Sequence, residues 1–240
     1  MDQALAHFSQ GRVRIHPCAP ELPRVDHVTA NAFSEALVQA VLAAGICDER
    51  LIEAVRMTPR AGFVPVDHAG SAYEDMPIGI GHGQVTTQPS LSARMIESLG
   101  LEGGEHVLEV GTGLGYQTAL LAYLVGDVVS VERLPDLMRQ AERNLAEHGI
   151  DNVELLAGDG SCGAPDRAPY DAIIVSAAFT EVPAPLIEQL RPGGRLVQPI
   201  GPGGQEDVVL FERTATGLTR KKVVTLAAFV RLHGRHGFPT

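Results

Sequence analysis

Long apolar runs are missing from this 240-residue chain. The longest, Ala119 to Val125, falls far short of the ~20 residues that a membrane helix needs, and the polar start lacks the apolar block of a signal peptide. A cytoplasmic protein without membrane contact is expected. Cysteine is scarce: Cys18, Cys47 and Cys162 are odd in number and show no paired spacing, which argues against a disulfide framework or a zinc cluster and leaves buried or incidental thiols. Basic residues are outnumbered 19 to 29, for a net charge of -10. The overall field therefore repels phosphate, and no nucleic-acid partner is expected. The histidines, among them His16, His27, His68, His233 and His236, show no metal-ligand spacing such as H-E-x-x-H, so no metal is expected. Arg220, Lys221 and Lys222 form only a short basic cluster, read as a solvated turn.

What remains is the composition of a soluble globular protein, 45% apolar and 20% charged, with the length of one domain or a domain with an appendage. The first thirty or so residues, with Pro17, Pro20 and Pro23, keep no period and read as an irregular arm, 1–30. From Phe33 through Leu37, Val38, Val41 and Leu42 the apolar spacing is helical and stops at Gly45. Asp48 is placed to cap a second helix, carrying Leu51, Ile52 and Val55 and ended by Pro59. A further helical pattern runs through Met95 to Leu99, within a helical segment and acceptor-side loop over 31–100.

Beyond residue 101, short apolar runs alternate with amphipathic stretches. That alternation predicts an α/β core, a mostly parallel sheet with helices on both faces. Strands are expected at His106–Val110, Val128–Glu132, Val153–Ala157, Asp171–Ser176 and Arg195–Pro199, with helices at about 115–125, 135–148 and 183–190. Two β-rich runs, Asp207–Glu212 and Val223–Leu232, would extend the sheet.

The first strand leads into Glu109-Val110-Gly111-Thr112-Gly113-Leu114-Gly115. Glycines there permit unusual backbone angles and close approach of main chain to a ligand. A dinucleotide fingerprint would need glycine where Tyr116 stands. The carboxylate of Glu109 suits a cationic ligand, an ammonium or a sulfonium, better than a pyrophosphate. Glu132 ends the second strand, where an acidic side chain can accept both hydroxyls of a ribose. Asp159-Gly160 follows the third and could receive an adenine amine. Singly, Glu132 reads as well as a solvated strand end, and Asp159 as a turn-former before glycine; at successive strand ends they read together as a site. The glycine loop resembles motif I of the class I S-adenosylmethionine methyltransferases, which implies a Rossmann-like fold and S-adenosyl-L-methionine as cofactor.

Several further segments, in order, carry a narrower resemblance. They are Pro59-Arg60-Ala61-Gly62-Phe63-Val64-Pro65, Tyr73 to Pro77, Gln84-Val85-Thr86-Thr87-Gln88-Pro89, Gly158-Asp159-Gly160, Ala168 to Asp171, Gln189 to Leu196 and Phe229 to Leu232. Over about residues 35 to 233 the chain resembles the protein-L-isoaspartate O-methyltransferase family, whose members methylate the α-carboxylate of L-isoaspartyl residues in damaged proteins; the ester collapses to a succinimide that can reopen as aspartate. The resemblance implies a cofactor site of Gln84, Val85, Thr86, Glu109, Gly111, Thr112, Gly113, Gly115, Glu132, Asp159, Gly160 and Gln205. It puts Thr87, Gln88 and Pro89, with His82 nearby, on the substrate side, and it implies a protein or peptide partner carrying isoaspartate or aspartate. The enzyme is expected as a monomer or weak dimer.

Small hydroxyl residues before a proline at a helix start offer side-chain oxygens and free amides together, and read either as a carboxylate cradle or as a plain helix cap. As a cradle, Thr87 would be the catalytic donor to one oxygen of the acceptor, and neighbouring amides would take the other. The family usually has serine where this chain has Thr87 and commonly threonine where it has Val85. Its tryptophan after Gly158-Asp159-Gly160 is missing, with Ala164 near that place and no tryptophan anywhere. These departures keep open a biosynthetic carboxyl methyltransferase acting on an aspartate or C-terminus of a dedicated peptide, or on a small-molecule acid. A non-catalytic cofactor-binding module is the reading from another class. A nucleic-acid methyltransferase would carry an Asn-Pro-Pro-Tyr or Asp-Pro-Pro-Tyr segment, and none is present.

Overall fold

A computed structural model describes residues 12–14 and 27–239, with side chains from Ser34 onward. The prolines of the expected arm and Cys18 lie outside the described residues. Within that stretch, residues 12–14 form β1 (Arg12–Arg14), paired antiparallel with β6 (Val153–Ala157) at the sheet edge. Helix α1 (His27–Ala43) begins ahead of Phe33, where its apolar period starts. Gly45 follows at φ +86, the left-handed turn expected after a helix end. Helix α2 (Glu49–Met57) is capped by Asp48, whose carboxylate accepts the amides of Arg50 and Leu51. A short hairpin, β2 (Ile78–Gly81) and β3 (Gln84–Thr86), then leads into α3 (Pro89–Ser98).

The core alternates strand and helix: β4 (His106–Val110), α4 (Tyr116–Leu124), β5 (Asp127–Glu132), α5 (Pro135–Glu147), β6, β7 (Tyr170–Val175), α6 (Ala184–Gln189) and β8 (Leu190–Ile200). The antiparallel pair β9 (Glu206–Thr214) and β10 (Gly217–Ala227) follows. The sheet order is β1-β6-β5-β4-β7-β8-β9-β10, with β6 to β8 parallel. Two expectations need correction. β8 starts at Leu190 rather than Arg195, because Arg191 to Gly194, which carry no apolar run, are already extended. The run expected over Val223–Leu232 stops as a strand at Ala227, and Ala178 instead exchanges backbone hydrogen bonds with Val230 and Leu232.

The period of two along each strand divides the core into two layers. Val107, Val128, Ala172 and Val197 face a layer shared by α1 to α5, including Leu37, Leu51, Met95 and Leu120. The alternate residues, Leu108, Val129, Ile173 and Leu196, face Leu186 of α6 and the C-terminal Leu232. The N-terminal helices thus share one core with the sheet, and each fully buried leucine contributes ~1.5–3 kcal/mol. No helix among the described residues is long and apolar enough to cross a membrane.

Candidate active site

β4 is flanked by β5 and by β7. Their onward connections therefore diverge from its carboxyl end, where a crevice opens in a doubly wound sheet. The crevice here has about 910 Å³ including its mouth. Its floor is the turn after β4, where Gly111, Gly113 and Gly115 adopt φ of +99, +58 and +95. These are left-handed angles that side chains resist. A Cβ on Gly113 would also stand 3.3 Å from Ile80 of the overhanging hairpin.

Glu132, at the end of β5, lines the crevice and is only 7% exposed. One oxygen accepts the Gly113 amide and the other the Leu134 amide, both at 2.9 Å. Burial pushes its pKa up, against the opposing pull of those amides. Gln84, Val85, Thr86, Thr87, Gly111, Thr112, Gly113 and Gly160 join it in the wall. The hydroxyl of Thr87 has no hydrogen-bond partner among the described residues. Gln117 also lines the crevice, and its Oε1 is buried without a partner. Such an atom calls for a donor from a ligand. An unpartnered acceptor for an ammonium and a carboxylate able to take ribose hydroxyls are a pair of acceptors that fits S-adenosyl-L-methionine.

Other expected contacts do not reach the crevice. Glu109 is 0% exposed beneath the glycine turn, its oxygens taken by Gln117 Nε2, Thr118 Oγ1 and Ser130 Oγ at 2.5–3.0 Å. It does not line the crevice. Burial raises its pKa to about 7, while the three donors restrain the rise. Gly115 caps α4 against Leu145 and Ala141 instead of lining the space. Gln205 is exposed in the turn ahead of β9. His82, at φ +52 in the hairpin turn, directs its ring toward Asp136, 3.8 Å away.

Asp159 is covered by the C-terminal stretch. Its carboxylate accepts the Arg235 amide at 2.7 Å and both the amide and hydroxyl of Ser161. Burial opposes ionisation there, but these donors outweigh it and the pKa falls below the usual range. A Cβ on Gly234 would stand 1.9 Å from Asp159 Oδ1, so the close approach requires glycine. Val230 to His233 of the same stretch complete the crevice wall, a contribution that the sequence, read as strand, did not disclose.

The expected carboxylate cradle also changes. Asp75 accepts the Ser90 amide at 2.9 Å and Gln88 Nε2 at 2.8 Å, so it caps α3 from a distance. The amides of Leu91 and Ser92 both go to the Gln88 carbonyl. An incoming carboxylate therefore finds the first turn of α3 already satisfied, with Gln88 turned away and Pro89 buried in the helix. Of the four residues expected on the substrate side, only Thr87 faces the crevice.

Comparison with known proteins gives this geometry a context. The family model for protein-L-isoaspartate(D-aspartate) O-methyltransferase matches residues 32–237. A protein-L-isoaspartate O-methyltransferase of Methanoculleus marisnigri is 52% identical over 201 residues, spanning 82% of this chain and 90% of that protein. One of Myxococcus xanthus is 49% identical over 170 residues, 70% of this chain and 80% of its own. Among solved structures, a protein-L-isoaspartate O-methyltransferase superposes with a TM-score of 0.73 at 32% identity, over 85% of this chain and 67% of that one. A Plasmodium falciparum structure in complex with S-adenosyl-L-homocysteine shares the fold, with a TM-score of 0.70 at 22% identity over 83% of this chain and 98% of that one.

Proposed function

We infer from this chain, which belongs to the protein-L-isoaspartate O-methyltransferase family, an S-adenosyl-L-methionine-dependent carboxyl O-methyltransferase acting on L-isoaspartyl residues of proteins or peptides. One observation carries the reading to the level of residues: an unpartnered Thr87 hydroxyl lines the same crevice as the glycine turn and Glu132.

When bound, S-adenosyl-L-methionine supplies an electrophilic methyl group on a positively charged sulfur. Glu132 would hold the ribose, Gln117 Oε1 the ammonium, and the backbone of Gly111 to Gly113 would lie against the donor. Glu109 adds negative charge from below. The acceptor is a carboxylate of ordinary pKa near ~4, ionised at pH 7, so the chain needs no general base. The protein's work is to strip water from the acceptor and to hold one of its oxygens in line at about 3–3.5 Å from the carbon it attacks. Thr87 does this by donating its hydroxyl hydrogen to the acceptor carboxylate. Methylation neutralises that negative charge, and the ester then cyclises to the succinimide as the following backbone nitrogen attacks its carbonyl carbon and methanol leaves.

Free thiols at Cys47 and Cys162 suit the cytoplasm as its compartment. The test is methyl transfer from labelled donor to three peptides that differ only in isoaspartate, aspartate or asparagine at one position. Base-labile label on the isoaspartyl peptide alone is expected. Label on the aspartyl peptide would point to a dedicated biosynthetic acceptor, and tight donor binding with no transfer would reject the enzyme reading.

A further inference from the structure

The residue that shapes the acceptor side most directly does not line the crevice. Arg60 has 0% exposure, and no ion pair among the described residues includes it. Tyr116 and Asp75 both favour its charged form, but neither pairs with it, and Asp75 is committed to capping α3. The guanidinium donates instead to neutral oxygens. One terminal nitrogen reaches the carbonyls of Ala72 and Glu74 at 3.2 and 3.0 Å. The other reaches the Met76 carbonyl at 2.9 Å, Thr86 Oγ1 at 2.6 Å and the Thr87 carbonyl at 3.3 Å. Its Nε is buried without a partner, and its charge lies 5.7 Å from the ring centre of Tyr116, which lines the crevice.

A buried charge without a counter-ion is costly and needs a reason. Arginine stays charged even when burial pulls its pKa down, as it does here. Neutral carbonyls satisfy its donors, and Asp75 offsets its positive field only from a distance; in a low-dielectric interior the remaining field reaches the neighbouring crevice. What enters the acceptor side, on the reading above, is an anion. We propose that Arg60 is the positioning residue of the acceptor site, fixing the Thr86–Thr87 segment through its fork and selecting an anionic acceptor by the unneutralised charge it holds behind that segment. A purely architectural arginine would do the first and not the second, so charge discrimination separates the two.

The inference rests on the isoaspartyl methyltransferase reading, and the experiment distinguishes the failures of each. Wild-type protein is first assayed with an isoaspartyl peptide; absence of transfer overturns the reading without any variant. Competitive binding is then measured for that peptide and for its neutral isoasparaginyl counterpart, with S-adenosyl-L-homocysteine saturating. Wild type is expected to prefer the anionic peptide, Arg60→Met to lose at least tenfold of that preference, and both to bind S-adenosyl-L-homocysteine alike. Arg60→Lys keeps the charge but not the planar fork, so it should hold the preference within about threefold while kcat falls tenfold or more. Equal weakening of both peptides in Arg60→Met, or loss of the preference in Arg60→Lys, would overturn the proposal. If Arg60→Met does not fold, Arg60→Gln, which also removes the charge, takes its place in the same comparison.

Discussion

Glu132 accepts the amide of Gly113 at 2.9 Å, so the side chain proposed to receive ribose hydroxyls also pins the glycine turn. Replacing it therefore removes an acceptor and loosens a floor. Glu132→Ala is expected to weaken donor binding by at least tenfold, more than ~1.4 kcal/mol. Glu132→Gln, which can still accept from Gly113, should fall between. Isothermal titration with S-adenosyl-L-homocysteine measures both, and an unchanged dissociation constant in Glu132→Ala would remove the ribose role.

Thr87→Val keeps the shape and discards the hydroxyl. A hydrogen bond to a charged group is worth ~1.5–3 kcal/mol, so kcat should drop about ten- to a hundredfold while donor affinity stays within twofold. Thr87→Ser should keep most of the activity. Single-turnover kinetics separate the chemical step from release, and an unaffected single-turnover rate would exclude Thr87 from the transfer.

The pKa of Glu109, raised by burial to about 7 against an ordinary 4.5, has a consequence with a definite sign. Between those values the folded protein holds a proton that the unfolded chain has released. Stability contributed by this group is therefore complete below pH 4.5 and declines as pH rises to about 7, then levels off. Denaturant titrations across pH 5 to 8 should show the decline in the wild type and a flatter profile in Glu109→Gln. Donor binding should move the opposite way, tightening as Glu109 ionises beneath a cation. A wild-type affinity that does not change from pH 6 to 8 would show that its charge is not felt in the crevice.

Gly234 lets the C-terminal stretch close on Asp159. Gly234→Ala should lift residues 230–236 away from the carboxylate and open one wall of the crevice. Hydrogen exchange at the Arg235 and His236 amides, which now bond to Asp159 and to Ser161 Oγ, should accelerate, and donor dissociation should be at least fivefold faster. Unaltered exchange at those two amides would refute the clasp.

The parallel core could be read from the sequence because its strands are written as short, mostly apolar runs. His106–Val110 and Val153–Ala157 fall where that argument puts them. The glycine turn was legible for a related reason, since left-handed angles leave their mark on residue type. Partnerships between distant positions leave no such mark. Asp75 with Ser90, Arg60 with Thr86 and Asp159 with Arg235 are separated by 15, 26 and 76 residues. The consequence was largest on the acceptor side, where the free amides expected at the start of α3 were already engaged by Asp75 and Gln88. Glu109 shows the same limit differently: an acidic residue before a glycine turn looks the same in a sequence whether it faces a ligand or lies beneath the floor.

The five-pronged grip of Arg60 bears on which parts of the chain can change length. Surface turns generally tolerate an added residue, and the stretch from Ala72 to Met76 has the outward look of one. Its three carbonyls are nevertheless tied through one guanidinium to Thr86 and Thr87. An insertion there would be transmitted to the segment that carries the Thr87 hydroxyl, the proposed donor to the acceptor. Sequence drift in this loop should accordingly proceed by substitution of side chains, with the spacing of the backbone held constant.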